Sequence, residues 1–344
     1  MIKTAVVILN WNGKKILEQF LPSVVKNTPS AAEVIIADNA SADDSVSWLQ
    51  QHYPSIRIIR NSVNGGFAKG YNDALKEVDA EYFVLLNSDV EVTQNWLEPV
   101  IALMDSDPGI AACQPKIRAF HDRGKFEYAG AAGGFIDKWG YPFCRGRMFD
   151  TYETDEGQYD DTCEVFWATG ACLFMRASAW KEAEGLDEDF FAHMEEIDLC
   201  WRLRNRGWKV MYCAGSVVYH VGGGTLSKQS PRKTFLNFRN NLVLLLKNHA
   251  PGWLFLKIFL RMVIDGIASV KFVLTGDFAH GWQVQMAHMS FYGRLFSTLK
   301  KRKKLKKEIQ HYATSSIYEG NIVWQYYIKG KKKFSDLQQE WFSK

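Results

Sequence analysis

Three carboxylates fall within four residues in Phe190-Phe191-Ala192-His193-Met194-Glu195-Glu196-Ile197-Asp198. A helix dipole explains acidic residues in a first turn. Two adjacent glutamates and an aspartate behind a phenylalanine pair exceed what a cap requires. A carboxyl in apolar surroundings gains proton affinity, which suits a general base. A second group lies in Leu85-Leu86-Asn87-Ser88-Asp89-Val90, where an apolar run ends in an Asn and an Asp two residues apart. Side chains at i and i+2 point the same way on an extended chain. Two oxygens there can hold a hard divalent cation against a diphosphate; a plain strand-end turn is the other reading. His220 closes an apolar run and precedes Gly222-Gly223-Gly224. A histidine at a strand end is usually structural, but the glycine run is expected to leave it accessible as a metal ligand.

Two further segments suit a nucleotide. Asp38-Asn39-Ala40-Ser41-Ala42-Asp43 offers short polar side chains that can accept from a base or ribose. It would serve equally as a turn and helix cap. In Asn64-Gly65-Gly66-Phe67-Ala68-Lys69-Gly70-Tyr71-Asn72, paired glycines precede a helical pattern. They would let a phosphate approach the backbone at a helix N-terminus, or form an ordinary loop.

These segments need elements to position them. Residues 4–9, 33–37, 56–60 and 82–86 read as strands, and 13–27, 42–52 and 68–78 as helices. The alternation predicts an α/β fold, a parallel sheet with helices on its faces. Ligands in such sheets bind beyond the carboxyl ends of the strands. Residues 10–12, 38–43, 61–67 and 87–89 fall there. Residues 107–161, rich in glycine and aromatics, predict loops and short antiparallel strands on an acceptor side. A strand over 165–175, a helix over 195–206 and a strand over 210–220 follow.

The 344 residues suit one large domain with an appendage, or two domains. A net charge of +4 conceals an asymmetry, −10 over residues 1–230 and +14 over 231–344. The acidic part suits metal or polar-ligand chemistry; the basic, apolar part suits anionic lipid or nucleic acid. Six scattered cysteines without a C-x-x-C pair read as free thiols in a reducing compartment. The N-terminus reads as a first strand rather than a signal peptide. Residues 233–247 predict an amphipathic helix with Phe235, Phe238, Leu242, Leu245 and Leu246 on one side, broken at His249-Ala250-Pro251-Gly252. The apolar run 253–275 is interrupted by Lys257, Arg261, Asp265 and Lys271, too costly for a clean membrane span. A helix lying in the membrane interface is expected instead. The cluster Lys300-Lys301-Arg302-Lys303-Lys304-Leu305-Lys306-Lys307 suits an anionic membrane surface. No nucleic-acid partner is expected, because aromatic residues do not interleave with the basic ones.

Taken in order, Val7-Ile8-Leu9-Asn10-Trp11-Asn12, Asp38-Asn39-Ala40-Ser41, Asn64-Gly65-Gly66-Phe67, Asn87-Ser88-Asp89, Trp167-Ala168-Thr169-Gly170, Glu195-Glu196-Ile197-Asp198 and His220 resemble the inverting family 2 of glycosyltransferases, across residues 1–230. The resemblance implies a GT-A fold, a Rossmann-like mixed, mostly parallel sheet with helices on both faces. A helical, basic-apolar appendage over 231–344 completes the chain. It implies a nucleotide-diphosphate sugar donor, with Asn10 and Asn12 beside the nucleotide and Asp38 on its base or ribose. Asn64, Gly66, Asn87 and Ser88 would lie near the diphosphate or sugar. Asp89 and His220 would hold Mg²⁺ or Mn²⁺. Trp167, Thr169 and Gly170 would line the acceptor side, and Glu196 would be the base, with Glu195 and Asp198 as alternates. Two positions depart from the family pattern. Asn87 stands where an aspartate is expected, and Glu196 stands where the base is usually Asp. The layout is similar to bacterial rhamnosyltransferases and related hexosyltransferases of surface polysaccharide assembly. Their acceptors are often sugars on a lipid diphosphate carrier. A peripheral enzyme at the cytoplasmic face of the cell membrane is expected. The rival reading is a catalytically weak nucleotide-sugar-binding protein of the same fold.

Overall fold

The first apolar runs pair in parallel. β1 (Ile2–Asn10), β2 (Ala32–Asp38), β3 (Arg57–Arg60) and β4 (Ala80–Asn87) stand in the order β3-β2-β1-β4. The structure, a computed structural model, describes residues 2–222 and 230–343. Crossovers are made by α1 (Lys14–Asn27), α2 (Ser45–His52) and α3 (Gly66–Leu75). Successive side chains of a strand point to opposite faces. Val6, Ile8, Val84 and Leu86 therefore share one core with Leu17, Leu21 and Leu49. Ala5, Val7, Phe83 and Leu85 share the other with Ala68, Tyr71 and Ala74. Register sets Asn10 opposite Asp38 and Leu9 opposite Asn87, so three strands end their polar residues along one edge.

β5 (Val90–Val92) and α4 (Glu98–Ser106) lead into β6 (Ile110–Ala119). The sequence predicts loops here; β6 is instead a ten-residue strand inside the main sheet. Its small residues Ala111, Ala112 and Cys113 have weak strand preference, and pairing on both sides decides their state. The expected short antiparallel strands do form, as β7 (Gly134–Asp137), β8 (Pro142–Cys144), β9 (Arg147–Met148) and β10 (Thr151–Tyr152). The single strand expected over 165–175 is two strands, β11 (Cys163–Glu164) and β12 (Cys172–Arg176), separated by a bonded loop. α5 (Ala177–Glu182), α6 (Glu195–Arg204) and β13 (Lys209–His220) follow. The completed sheet runs β11-β13-β6-β12-β4-β1-β2-β3, with β5 on β13. It is mixed, and most of its paired residues lie in parallel ladders.

α7 (Pro231–Asn248) differs from the amphipathic expectation. Its residues from Arg239 to Asn248 are buried on every side, between α6 and the later helices. Those are α8 (Leu254–Leu274), α9 (Phe278–Gly293) and α10 (Leu295–Leu305). β14 (Ile317–Tyr318) then returns to pair with β7, and α11 (Ile322–Tyr327) follows. Among the described residues no helix is long and apolar enough to cross a membrane. All six cysteines are free, five of them buried.

Candidate active site

The donor side is built at the ends of β1 and β2. Asn10 is buried, and its amide Nδ2 donates to Asp38 Oδ1 at 3.1 Å, Ser41 Oγ at 3.2 Å and Ser45 Oγ at 3.0 Å. Asp38 Oδ2 accepts from the Ser41 N–H. Asn12, with φ 49°, accepts from the Ala42 and Asp43 N–H groups. Asn10, Asn12 and Asp38 thus knit one loop, with Asn10 as its internal brace. Beside it opens a cleft of about 430 Å³ lined by Asn12, Gly13, Lys14, Asp43 and Asp44. Asn39, which the site reading of the sequence passes over, ties this loop to the next. It donates to Asn64 Oδ1 at 2.9 Å and accepts from Asn61.

The paired glycines make room for protein. A Cβ on Gly66, at φ +83°, would lie 2.8 Å from the Phe191 carbonyl oxygen. The Phe67 N–H at the start of α3 donates to that same oxygen at 3.2 Å. The donor loop therefore touches the segment that carries the carboxylates.

Antiparallel pairing of β13 with β5 sets His220 opposite Val90, one residue from Asp89. His220 Nε2 lies 3.1 Å from Asp89 Oδ1 and 3.3 Å from Asn87 Nδ2. Its Nδ1 lies 3.2 Å from Glu127 Oε2, a partner the sequence does not announce. Contrary to the accessibility expected from the glycine run, His220 is buried, 4% exposed. Gly223 and Gly224 of that run lie outside the described residues. Burial opposes charge on His220, but Glu127 and Asp89 on either side outweigh it and lift its pKa to about 10. Burial likewise pushes Asp89 and Glu127 up, and the imidazolium more than reverses this, so both sit below the usual carboxylate range. Among the described residues no three His, Cys, Asp or Glu side chains converge on one point. Asp89 would offer one ligand and Nε2 a second once a cation displaces its proton, with Glu127 orienting the ring through the Nδ1–H. That set fits Mg²⁺ or Mn²⁺ when diphosphate and water complete the shell. Ser88 sits in the turn between Asn87 and Asp89.

A ledge separates this corner from the carboxylates. Trp167 is buried, its Nε1 donating to the Phe135 carbonyl, and Thr169 accepts from the Ala171 N–H. They hold the loop that presents Gly170. The Asn87 N–H donates to the Ala171 carbonyl at 2.9 Å. A Cβ on Gly170 would meet Phe67 at 3.2 Å and Glu196 Cβ at 3.8 Å.

Beyond the ledge α6 begins. Glu195 is buried and Glu196 half-buried, and the Oε2 of each has no hydrogen-bond partner among the described residues. Burial raises the proton affinity of Glu196; burial and then the neighbouring Glu196 raise that of Glu195 further. Asp198 is fully buried and differently placed. It accepts from Arg202 at 2.7 Å, Lys247 at 2.8 Å and Asn248 at 2.8 Å. Burial would raise its pKa, but the two cations hold it down. Asp198 is thereby a bonded anchor between α6 and α7.

The segment before α6 is strained. Phe191, His193 and Met194 have φ of 65°, 69° and 75°. Such left-handed residues persist where the surroundings over-determine them, commonly at functional sites. Here Asn240 of α7 supplies the constraint. Its Nδ2 donates toward the carbonyls of Phe190, Ala192 and His193 at 3.0, 3.0 and 2.7 Å.

A mixed, mostly parallel sheet flanked by helices, with polar residues gathered beyond its strand ends, has the architecture of a GT-A glycosyltransferase. The S. aureus TarS 1-349 crystal structure superposes with TM-score 0.54 at 13% identity, covering 89% of this chain and 83% of that one. GalNAc-T7 with UDP, GalNAc and Mn²⁺ superposes with TM-score 0.56 at 17% identity, covering 72% and 48%. At such identities the likeness is one of fold. The family model described as glycosyl transferase family 2 matches residues 5–181, and the chain belongs to that family. The N-acetylglucosaminyl-diphospho-decaprenol L-rhamnosyltransferase of Mycobacterium tuberculosis is 25% identical over 266 residues, 72% of this chain and 85% of that protein. Rhamnosyltransferase WbbL of Escherichia coli is 25% identical over 210 residues, 57% and 76% respectively.

Proposed function

We propose that this glycosyltransferase moves a hexosyl group, rhamnosyl being the first candidate, from a nucleotide-diphosphate sugar to a hydroxyl of a lipid-linked sugar acceptor. The product belongs to cell-surface polysaccharide, and the enzyme works at the cytoplasmic face of the membrane. Rhamnosyl and a lipid diphosphate acceptor are suggested by what the mycobacterial relative's name states. Residues 1–230 carry the transfer site in this reading, and 231–344 form the helical part.

One observation supports the mechanism: half-buried Glu196, whose Oε2 has no hydrogen-bond partner among the described residues, stands across the Gly170 ledge from Asn87. Glu196 takes the proton of the acceptor hydroxyl as that oxygen bonds to the anomeric carbon. The bond from that carbon to the diphosphate oxygen breaks, and the configuration inverts. Asp89 and His220 would hold a divalent cation, Mg²⁺ or Mn²⁺, whose charge stabilises the leaving diphosphate. The loop at Asn12 and Asp38 holds the nucleotide, Asn64 and Gly66 border the sugar, and Gly170 borders the acceptor. In this reading Asp198, bound by two cations and an amide, anchors α6 to α7 and leaves the proton to Glu196.

The test is hydrolysis of a panel of nucleotide sugars with Mn²⁺, with Mg²⁺ and with EDTA. Slow hydrolysis of one donor, abolished by EDTA and by Glu196→Gln, is expected. The rival reading, a catalytically weak donor-binding protein, draws on Asn87 in place of an aspartate. Donor binding without turnover on any acceptor would establish it instead.

A further inference from the structure

α8 buries Leu254 and Ile258 at its start and polar side chains further along. Its protein-facing stripe includes Arg261, Asp265 and Ser269, each at most 6% exposed. Arg261 donates to the Trp139 carbonyl and lies over the Tyr141 ring, and Asp265 meets both Arg261 and His288. Its outward stripe is Leu256, Leu260, Val263, Ile267, Val270 and Leu274, between 36% and 82% exposed. The spacing of 4-3-4-3-4 residues makes this one continuous helix face. Of the four interrupting charges, Arg261 and Asp265 are thus turned inward, while Lys257 is half-buried and Lys271 exposed. α9, packed against α8, exposes Phe278, Trp282 and Met289 at 63–67%, and Phe296 of α10 reaches 84%. A soluble monomer rarely exposes so large an apolar patch without a partner.

We infer that the outer face of α8 and α9 docks on a bilayer carrying anionic headgroups. Charge decides the occupant. Residues 231–344 carry a net +14. The exposed Lys300, Lys303, Lys306 and Lys307 on and just beyond α10 belong to this part. A second copy would bring two such surfaces together, against their mutual repulsion, whereas an anionic leaflet attracts them. Polar groups turned inward and apolar groups outward is the arrangement that hydrocarbon, not water, stabilises. Trp253, 76% exposed, and Trp282 have the amphipathic rings that settle at headgroup depth. At 21 residues, α8 is about 30 Å long, and it lies along the surface with its inner stripe still on the protein. This deepens the proposed membrane setting and rests on that reading.

The experiment is flotation of the full chain with vesicles of phosphatidylglycerol and phosphatidylethanolamine, and with phosphatidylcholine alone. Wild type is expected to float with the anionic vesicles only. The Val263→Glu, Ile267→Glu, Val270→Glu triple variant should partition about tenfold less, with unchanged circular dichroism and donor hydrolysis. Lys303→Glu, Lys306→Glu, Lys307→Glu should lose the anionic preference. Wild type left unbound by anionic vesicles, or either variant floating as wild type does, would overturn the inference. A wild-type dimer dissolved by the apolar triple would also overturn it, making the face a self-interface. Donor hydrolysis without vesicles separates the two readings: if it persists while flotation fails, the transfer reading stands and docking falls.

Discussion

At Glu196 one unbonded carboxyl oxygen and a raised proton affinity coincide. A base must be unprotonated to act, so the acid limb of kcat/KM should lie above the pH at which an ordinary exposed carboxylate titrates. Glu196→Gln should remove that limb and lower kcat by about 10²–10⁴-fold, with donor affinity unchanged by calorimetry. If Glu195→Gln costs more, Glu195 is the base. Glu127 offers a second single-residue test. It faces His220 Nδ1 and so fixes which ring nitrogen is left for a cation beside Asp89. Glu127→Gln should weaken Mn²⁺ binding about 10–100-fold, read by paramagnetic titration of the nucleotide-bound protein. Unchanged affinity would mean that His220 does not ligate the ion.

The element that matters most to these carboxylates is α7, which lies in the helical part of the chain. Asn240 meets three carbonyls of the segment leading into α6, and Lys247 and Asn248 meet Asp198. Three left-handed residues cost about 1–3 kcal/mol each, and this clamp offsets that cost. Asn240→Ala takes a donor from the part-buried carbonyls of Ala192 and His193, at about 1–3 kcal/mol, while Phe190 keeps Arg239 and the Ala192 N–H, and it frees the segment to relax. The expected outcome is a kcat reduced about tenfold or more with donor affinity nearly intact, since the Asn12 and Asp38 loop is braced separately. An equal loss in both would mean general unfolding, which a thermal midpoint would reveal. Much of the sheet was legible because β1, β2 and β4 are apolar runs ending in polar residues, and strand ends are where such folds bind ligands. The clustering of Asn10, Asp38 and Asn87 follows from that rule. β6 was illegible because Ala111, Ala112 and Cys113 take their state from neighbours far along the chain. The Asn240 clamp was illegible for the same reason, since its carbonyls lie 47–50 residues away. Glu127 meets His220 only through tertiary contact between residues 93 positions apart, which no local spacing encodes.

Across the whole molecule, charge and packing divide the chain differently. Charge changes sign near residue 230, but a single core runs on from Phe83 and Leu85 into Leu244, Tyr318 and Phe334. The last residues close that core. β14 pairs with β7, and Phe334 lies 5.1 Å from Phe135 and from Phe342, centroid to centroid. The Phe334 N–H also donates to Glu153 at 3.0 Å. The basic, apolar part therefore cannot be removed to ask what it binds; cutting at 253 would open the core of the part that remains. Deleting one such buried ring costs about 3–5 kcal/mol through lost transfer energy and the cavity left behind. That is a large share of the ~5–15 kcal/mol by which folded domains are stable. Phe334→Ala should lower the urea midpoint accordingly, with transfer activity lost in step with folded fraction. The exposed Phe259→Ala on α8, 62% accessible, should leave the midpoint within about 0.5 kcal/mol of wild type. If Phe334→Ala left the midpoint unmoved, the C-terminal strand and ring cluster would be dispensable. The helical part could then be dissected from the catalytic sheet after all.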